Sequence, residues 1–403
     1  MRLQTKEEKN KKTALLLVIG IIFIATTLRS PLTSVGPIIS HIRDGLAISN
    51  ILAGFITTIP LLAFAIFSPV VPKIARRFGI ELTLFFSIIL LAAGIIIRSL
   101  GTAPLLFIGT ALIGIAISFG NVLLPGLIKL KFPLRIGLLT ATYTVSMNLS
   151  ASIAAGISYP IADNTTYGWQ GALGCWAILT IVAALIWLPQ INKQKRMSEQ
   201  VAASPSNKSK SLLSNPLTWT ITLCMGLQSL IFYTTAAWIP EIVQSQGVSA
   251  DKSGWMLSLL QFAQLPITFL TPIIAGRMKD QRILVGIFTI FYIIGFLGLL
   301  YGNTAFTFLW MILIGLAGGA SFGLVMMFFS LRTRTPMEAA DLSGTAQSIG
   351  YLFAAIGPVF FGFLHDATAS WTMPIILFIV LAILLFASGM HAGRDRFVST
   401  SDE

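Results

Sequence analysis

Long apolar runs separated by short polar segments dominate the chain from beginning to end. Each run is close to the length of about 20 residues that a helix needs to cross a bilayer. The twelve predicted spans are 13–40, 50–72, 80–100, 104–128, 135–160, 169–189, 216–240, 253–276, 282–302, 306–331, 341–364 and 372–392. This pattern predicts an all-α integral membrane protein.

The composition supports the same class and excludes a soluble enzyme or binding domain. Hydrophobic residues make up 55% of the 403 residues, and charged residues make up only 10%. Soluble domains carry about 25% charged residues. Too few charged side chains therefore remain to cover a water-exposed surface.

The net charge of +12 raises the alternative of a nucleic-acid-binding protein, but the basic residues do not form one patch. If the N-terminus is cytoplasmic, 23 of the lysines and arginines fall in cytoplasmic segments, against three (Arg43, Arg98 and Lys252) on the outer side. Cytoplasmic loops carry such an excess of basic residues. We therefore predict a bacterial cytoplasmic membrane protein with both termini cytoplasmic and no nucleic-acid partner.

An internal repeat appears when the chain is shifted by 203 residues. This offset places Pro37 on Pro240, the Ser118–Gly120 tripeptide on Ser321–Gly323, and Lys129 on Arg332. Six spans per copy imply parallel repeats related by an axis along the membrane normal. The predicted domains are a cytoplasmic tail 1–12, a six-helix bundle 13–189, a cytoplasmic linker 190–215, a second six-helix bundle 216–392 and a cytoplasmic tail 393–403.

Arg29 is the one basic residue predicted to lie in the interior of a span, far from either end. An arginine at the centre of a membrane helix costs about 2.5–3.5 kcal/mol on insertion scales. One interpretation is that its planar guanidinium binds an anionic solute; the other is that backbone carbonyls near Gly36-Pro37 satisfy it. Helical spacing predicts that Thr26, Arg29, Thr33 and Gly36 form one polar stripe, so Thr26 and Thr33 join Arg29 as candidate solute-binding residues.

Polar and aromatic residues deep in other spans are further candidates for lining the solute path. They are Asn121, Tyr143, Gln228, Tyr233, Trp238, Gln261, Gln264, Gln347 and Tyr351. Hydrogen bonding between helices is an equal alternative for each of them. Gly315, Gly318, Gly319 and Gly323 lie in mid-span without a preceding strand, so they indicate close helix packing and not a nucleotide loop.

Four segments resemble one branch of the major facilitator superfamily, the cyanate permeases and 2-nitroimidazole transporters. The segments are 28–37 (LRSPLTSVGP), 120–129 (GNVLLPGLIK), 168–173 (GWQGAL) and 347–351 (QSIGY). The resemblance runs along nearly the whole chain. It implies the major facilitator fold of twelve transmembrane helices and the secondary transport of a small, often anionic or nitro-aromatic solute.

The loop between spans two and three departs from the pattern of that superfamily. The usual Gly-x-x-x-Asp-Arg-x-Gly is replaced by 72–79 (PKIARRFG). Arg76 occupies the position of the aspartate, and Arg77 occupies that of the arginine. The second copy keeps Gly276 and Asp280 at the family spacing. The resemblance therefore makes Arg76, Arg77, Gly276 and Asp280 candidate gating residues, with any gating ion pair expected on the second half.

The sequence predicts a monomeric secondary active transporter that works by rocker-switch alternating access, with Arg29 as the solute anchor. Expected partners are a small solute, the lipid bilayer and a coupled proton or counter-anion. The alternatives are a broad-specificity drug exporter and a non-transporting membrane receptor; import and export both remain open. Neither a nucleophile–base set, a Walker sequence nor metal-ligand spacing is present, so no enzyme activity, metal or cofactor is expected.

Overall fold

A computed structural model of the chain describes residues 2–48, 50–191, 214–301 and 304–398. The α-helices in this part of the chain are α1 Arg2–Thr27, α2 Ser30–Thr33, α3 Ile39–Leu46, α4 Asn50–Phe67, α5 Val71–Phe78, α6 Ile80–Arg98, α7 Ala103–Lys131, α8 Ile136–Asn164, α9 Gly168–Gly174, α10 Trp176–Ile191, α11 Pro216–Ser245, α12 Ala250–Ala275, α13 Arg282–Tyr301, α14 Thr307–Leu331, α15 Pro336–Thr368 and α16 Thr372–Ala392.

The helices confirm the all-α membrane architecture. Among the described residues, ten helical stretches are long and apolar enough to cross a membrane, or eleven if a bent pair counts as one span. The bent pair is Phe55–Phe67 with Val71–Phe78, at 58°. Helix α8, 29 residues long, occupies the predicted fifth span, and its serines and threonines make it less apolar than its neighbours. These elements together correspond to the twelve predicted spans.

The segment 72–79, predicted as a loop, is mostly helical. It lies in α5, which begins at Val71 with Pro72 in its first turn and ends at Phe78, where Gly79 (φ 84°) follows as the C-cap. Proline is tolerated in the first turn of a helix because the N–H groups there have no intrahelical acceptor. The chain therefore starts a new amphipathic helix here, which presents Arg76 and Arg77 in its last turn.

Helix α10 shows how these residues suit a lipid environment. Its buried positions hold mostly small residues and two tryptophans, whereas its large aliphatic side chains at Ile178, Ile181 and Leu185 are exposed. Small residues let membrane helices approach closely, and aliphatic side chains facing outwards meet the lipid tails. Inside the bundle, the indole of Trp187 donates to the Glu81 carbonyl oxygen at 2.9 Å and is fully buried.

The chain divides into two compact units. The first comprises Met1–Leu127 and Thr142–Pro205, and the second comprises Ile128–Ala141 and Ser206–Glu403. Within the second unit, the Lys129 ammonium donates to the Ser330 carbonyl oxygen at 2.7 Å and to the Thr333 hydroxyl at 3.1 Å. A cation near the last carbonyls of a helix is favourable, so Lys129 stabilises the C-terminal end of α14. Of the predicted linker 190–215, residues 192–213 lie outside the described part.

The glycines of α14 confirm the predicted close packing of helices. A Cβ at Gly315 would lie 2.3 Å from the Leu260 carbonyl oxygen, and one at Gly319 would lie 2.4 Å from the Gln264 carbonyl oxygen. Both contacts are with the backbone of α12, which cannot move aside as a flexible side chain could. Helices α12 and α14 can approach this closely only because these positions have no side chain.

We expect Gly315→Ala to destabilise the protein by about 1–3 kcal/mol, because overpacking forces backbone shifts of this cost. Gly286→Ala in α13 is the matched control, since a Cβ there meets nothing within 4 Å. It should be neutral or stabilise by up to about 1 kcal/mol through helix propensity. Thermal unfolding of the two variants in detergent measures the difference, and equal melting temperatures would contradict the packing argument.

Candidate functional site

The first span is broken at its centre, and Pro31 explains the break. Helix α1 ends at Thr27, Leu28 and Arg29 form a turn, and α2 begins at Ser30. Proline has no N–H to donate, and its ring clashes with the carbonyl four residues earlier, here that of Thr27. A second proline, Pro37, lies in a 3-10 turn over Gly36–Ile38.

Neighbouring helices of the first unit hold this break in place. The Ser150 hydroxyl of α8 donates to the Thr26 carbonyl oxygen at 2.8 Å, and the Thr33 hydroxyl donates to the Ala151 carbonyl oxygen at 3.0 Å. On α7, a Cβ at Gly120 would lie 2.4 Å from Leu28 Cδ2. Broken backbone is tolerated at membrane depth where other groups satisfy its polar atoms, and α8 provides such groups here.

Arg29 lies in the turn between α1 and α2, inside the span Ala14–Ile38. Its φ of −121° and ψ of −33° depart from the α-helix, and its carbonyl oxygen accepts from the N–H groups of Leu32 and Thr33, both at 3.0 Å. Arg29 is partly exposed. The turn thus presents a partly exposed guanidinium within the first unit.

The expected polar stripe through Thr26, Arg29, Thr33 and Gly36 is wrong as a feature of one continuous helix. The break at Leu28-Arg29 separates Thr26 from Thr33, and Gly36 begins the 3-10 turn. The Thr26 hydroxyl donates to the Phe23 carbonyl oxygen at 2.8 Å, and that of Thr33 donates to the carbonyl oxygens of Ala151 and, at 3.2 Å, Arg29. Both hydroxyls therefore donate to backbone carbonyl oxygens, that of Thr26 within α1 and that of Thr33 partly to α8.

Tyr143 and Asn121 belong to the same unit as Arg29. The Tyr143 side chain is buried, and its hydroxyl has no hydrogen-bond partner among the described residues. Asn121 is partly exposed and follows Gly120, against which Leu28 packs. Tyr143 is therefore a buried hydroxyl in the same unit as Arg29.

The other predicted solute-binding residues lie in the second unit, and several of them bond within it. The Gln228 amide donates to the Ser229 hydroxyl at 2.7 Å, the Gln264 amide donates to Gln261 Oε1 at 2.7 Å, and the Gln347 amide donates to the Ser343 hydroxyl at 2.7 Å. Each partner lies on the same helix, so these three bonds are not the bonds between helices that the alternative predicted.

The aromatic candidates of the second unit are held by neighbouring rings or carbonyls. The Trp238 indole donates to the Pro358 carbonyl oxygen at 2.8 Å, and its ring packs 5.2 Å from the ring of Trp371. Tyr233 makes an edge contact with Phe232 at 5.2 Å, and Tyr351 is buried. These rings provide rigid apolar surface.

The predicted gating residues occupy separate places. Asp280 pairs with Arg282 at 2.6 Å and accepts from the Arg282 backbone N–H at 2.9 Å, which fixes the start of α13. Hydrogen bonds from the Arg282 side chain hold the pKa of Asp280 below its usual value. A Cβ at Gly276 would lie 3.1 Å from the Gly137 Cα, so helices α12 and α8 meet closely there within the second unit. Arg77 lies over the ring of Phe78 at 5.3 Å, and Arg76 is partly exposed.

Two arginines that the sequence assigned to loops are buried structural residues. Arg98, counted with the outer side, ends α6, is fully buried and donates from Nη1 to the Pro31 carbonyl oxygen at 2.7 Å. Arg332, counted with the cytoplasmic loops, is only 2% exposed and donates to the carbonyl oxygens of Ala392 and Gly393, both at 2.8 Å. Their position at the ends of apolar runs was the only sequence signal, and it does not distinguish buried from solvated arginines.

The fold and the broken, arginine-bearing first span define a multi-pass membrane protein of the secondary-transporter class. The family model of the Major Facilitator Superfamily matches residues 15–355, and the chain belongs to this superfamily. A solved structure of the proton:xylose symporter XylE superposes with a TM-score of 0.78 at 13% identity, over 94% of this chain and 95% of that one. At this identity the likeness shows the fold alone.

Three relatives place the chain in the cyanate and nitroimidazole branch. The chain is 46% identical to an uncharacterised transporter of Bacillus subtilis, YycB, with 96% of each chain covered. It is 39% identical to the 2-nitroimidazole transporter of Escherichia coli, covering 96% of this chain and 97% of the relative. It is 25% identical to the cyanate transport protein of Escherichia coli, covering 89% and 92%. The chain is therefore a membrane transporter of small solutes.

Proposed function

We propose that this chain is a secondary active transporter of a small anionic or nitro-bearing organic solute, with Arg29 as the solute anchor. The observation that carries the proposal is the placement of a partly exposed arginine at the break of a membrane span. Ionisable residues inside the membrane are costly and mark solute or ion pathways. Transport would follow rocker-switch alternating access, as is usual for this architecture.

The chemistry of the anchor supports this solute class. A guanidinium presents a planar fork of N–H donors that matches two acceptor oxygens at once. Carboxylate and nitro groups each present two such oxygens, and cyanate is itself an anion. The two characterised relatives named above handle a nitroimidazole and cyanate, which agrees with this recognition chemistry.

The membrane potential limits how an anion can be moved. With the cell interior negative, moving one anion inwards costs about 2.3 kcal/mol per 100 mV. Import would therefore need a coupled proton or an exchanged anion, whereas export would run down the electrical gradient. We propose a monomer in the cytoplasmic membrane with both termini cytoplasmic, and a gate that includes Arg76, Arg77, Gly276 and Asp280.

Thermal unfolding of the purified protein with defined solutes tests the proposal. At a concentration about 100 times its dissociation constant, a bound solute stabilises the folded state by about 2.7 kcal/mol. We expect cyanate or 2-nitroimidazole to raise the melting temperature, and an apolar cationic drug of similar size to leave it unchanged. Stabilisation by the drug alone would contradict the proposal and favour the drug exporter.

Proteoliposomes distinguish transport from binding alone. A solute that stabilises the protein should also cross the membrane of reconstituted vesicles and exchange with unlabelled solute on the other side. Tight binding without any flux would contradict transport and favour the receptor. Empty liposomes of the same lipid composition are the control for passive permeation.

A further inference from the structure

Arg98 is a second arginine within the membrane-spanning helices of the first unit. It is the last residue of the span Ile80–Arg98 and is fully buried. Its Nη1 donates to the Pro31 carbonyl oxygen at 2.7 Å, across 67 residues of chain. Burying a charge is costly unless it is paired or hydrogen-bonded, so the placement of Arg98 needs a physical reason.

The acceptor of this hydrogen bond lies in the break that carries Arg29. The break leaves the short helix α2, Ser30–Thr33, without a continuous ladder of hydrogen bonds on either side. The Pro31 carbonyl oxygen accepts from Arg98 and, at 3.2 Å, from the Ser34 hydroxyl. Arg98 thus connects α6 to α2 by a hydrogen bond. Its acceptor, Pro31, lies two residues after Arg29.

Helix α7 packs closely against the backbone of Arg98. A Cβ at Gly109 would lie 2.4 Å from the Arg98 backbone nitrogen and 2.6 Å from the Gly94 carbonyl oxygen. Only a glycine lets the two helices meet at this point, and this contact fixes the backbone from which the Arg98 side chain extends. The position of α2 therefore follows from the packing of α6 on α7.

Resting on the function proposed above, we propose that Arg98 is a positioning residue that sets the placement of Arg29 for solute binding. Its hydrogen bond fixes α2, and α2 determines where the preceding residue, Arg29, directs its guanidinium. A displacement of about 1 Å in a binding group is enough to reduce activity by orders of magnitude. Arg98 acts through Arg29 and makes no contact with the solute itself.

Solute uptake into proteoliposomes by Arg98 variants tests this role, with cyanate and 2-nitroimidazole as probes. We expect Arg98→Gln to raise KM at least about tenfold while the maximal rate per folded molecule changes less than KM. Arg98→Lys keeps the charge and one donor for the Pro31 carbonyl oxygen, and should recover most of the affinity. Arg43→Gln is the matched control, because Arg43 is a partly exposed arginine of the first unit that pairs with Asp44.

Two further results would each overturn the inference. A role confined to folding would lower the melting temperature of Arg98→Gln and the amount of active protein but leave KM unchanged. Direct solute binding by Arg98 would make the effects of Arg98→Gln and Arg29→Lys on KM multiply in the double variant, whereas action through Arg29 makes them less than multiplicative. If Arg98→Gln does not fold, the same comparison is made with Arg98→Met, which keeps much of the side-chain volume but has no donor for the Pro31 carbonyl oxygen. Unchanged KM together with unchanged exchange of the amides of 28–36 in that variant would equally contradict the role.

Failure of the proposed function can be distinguished from failure of the role proposed for Arg98. If neither probe stabilises the unaltered protein and neither is transported by it into proteoliposomes, the proposed function fails before any Arg98 variant is compared. If the unaltered protein transports a probe and Arg29→Lys raises KM, but Arg98→Gln does not, only the role of Arg98 is excluded. Amide hydrogen exchange over residues 28–36 adds a readout without solute, and we expect faster exchange there in Arg98→Gln than in Arg43→Gln.

Discussion

Arg29→Ala is expected to remove most of the stabilisation of the protein by cyanate or 2-nitroimidazole. A hydrogen bond to a charged group contributes about 1.5–3 kcal/mol. Losing the guanidinium should therefore weaken binding by about 2 kcal/mol or more, which corresponds to at least about 30-fold in affinity. Arg29→Lys keeps the charge without the planar fork and should bind with intermediate affinity.

The change in melting temperature of the ligand-free protein distinguishes a solute anchor from a structural arginine. An arginine in mid-span costs about 2.5–3.5 kcal/mol, so Arg29→Ala should not lower the melting temperature of the protein without solute. Arg43→Ala removes a partly exposed arginine paired with Asp44 at 2.8 Å and should change neither stability nor solute response. Equal stabilisation of the unaltered protein and Arg29→Ala by the same solute would show that Arg29 is not the anchor.

Arg332→Ala is expected to be among the most destabilising single substitutions in the chain. The Arg332 side chain is buried and donates to the carbonyl oxygens of Ala392 and Gly393 and to Gln281 Oε1. Its own carbonyl oxygen accepts from the Val398 N–H at 2.9 Å. Truncation leaves the Ala392 carbonyl oxygen and Gln281 Oε1 without this donor, at about 1–3 kcal/mol for each unsatisfied group, whereas the Gly393 carbonyl oxygen keeps the Gln281 N–H. We expect a total loss of about 2–6 kcal/mol.

Arg334→Ala is the control for this prediction, because the two arginines are neighbours with different surroundings. Arg334 is exposed and lies over the ring of Phe397 at 5.2 Å, so its truncation should change stability by no more than about 0.5–1 kcal/mol. Thermal unfolding in detergent compares the two variants. Similar melting temperatures for both would contradict a structural role for Arg332.

Arg332 also shows what the first residues of the predicted C-terminal tail do. The Asn215 amide donates to the Val398 carbonyl oxygen at 2.7 Å, and the Gln281 N–H donates to the Gly393 carbonyl oxygen at 2.9 Å. Residues 393–398 therefore pack against the start of α11 and the segment before α13. We expect Arg332→Ala to loosen this segment as well as lower stability, because it removes the side-chain hydrogen bond to the Gly393 carbonyl oxygen and the ion pair with Asp395 at 3.9 Å. The Val398 N–H keeps its backbone acceptor at residue 332.

The number and order of the spans could be predicted because hydropathy is a local property. A run of about 20 apolar residues has to form a helix in lipid, where every backbone polar group needs an internal partner. Arg29 was also visible as a charge within the first span. The break at Leu28-Arg29 was not predicted, and the expected stripe of Thr26, Arg29, Thr33 and Gly36 was wrong because it assumed a continuous helix.

The roles of Arg98 and Arg332 could not be predicted for a different reason. Both end apolar runs, and local sequence makes a buried arginine there look the same as a solvated loop arginine. Their acceptors, the carbonyl oxygens of Pro31 and Ala392, lie 67 and 60 residues away in sequence. Such partners meet only when the helices pack, so only the tertiary structure identifies them.

By itself, the sequence determined the fold class, the order of the spans and the presence of a charged residue inside the first one. Each of these follows from the transfer of individual side chains between water and lipid, which depends on nearby residues alone. The tertiary structure decided where the first span breaks, which hydroxyls and arginines hold the break, and which basic residues are buried. Those outcomes depend on hydrogen bonds between distant segments, whose geometry no local pattern specifies.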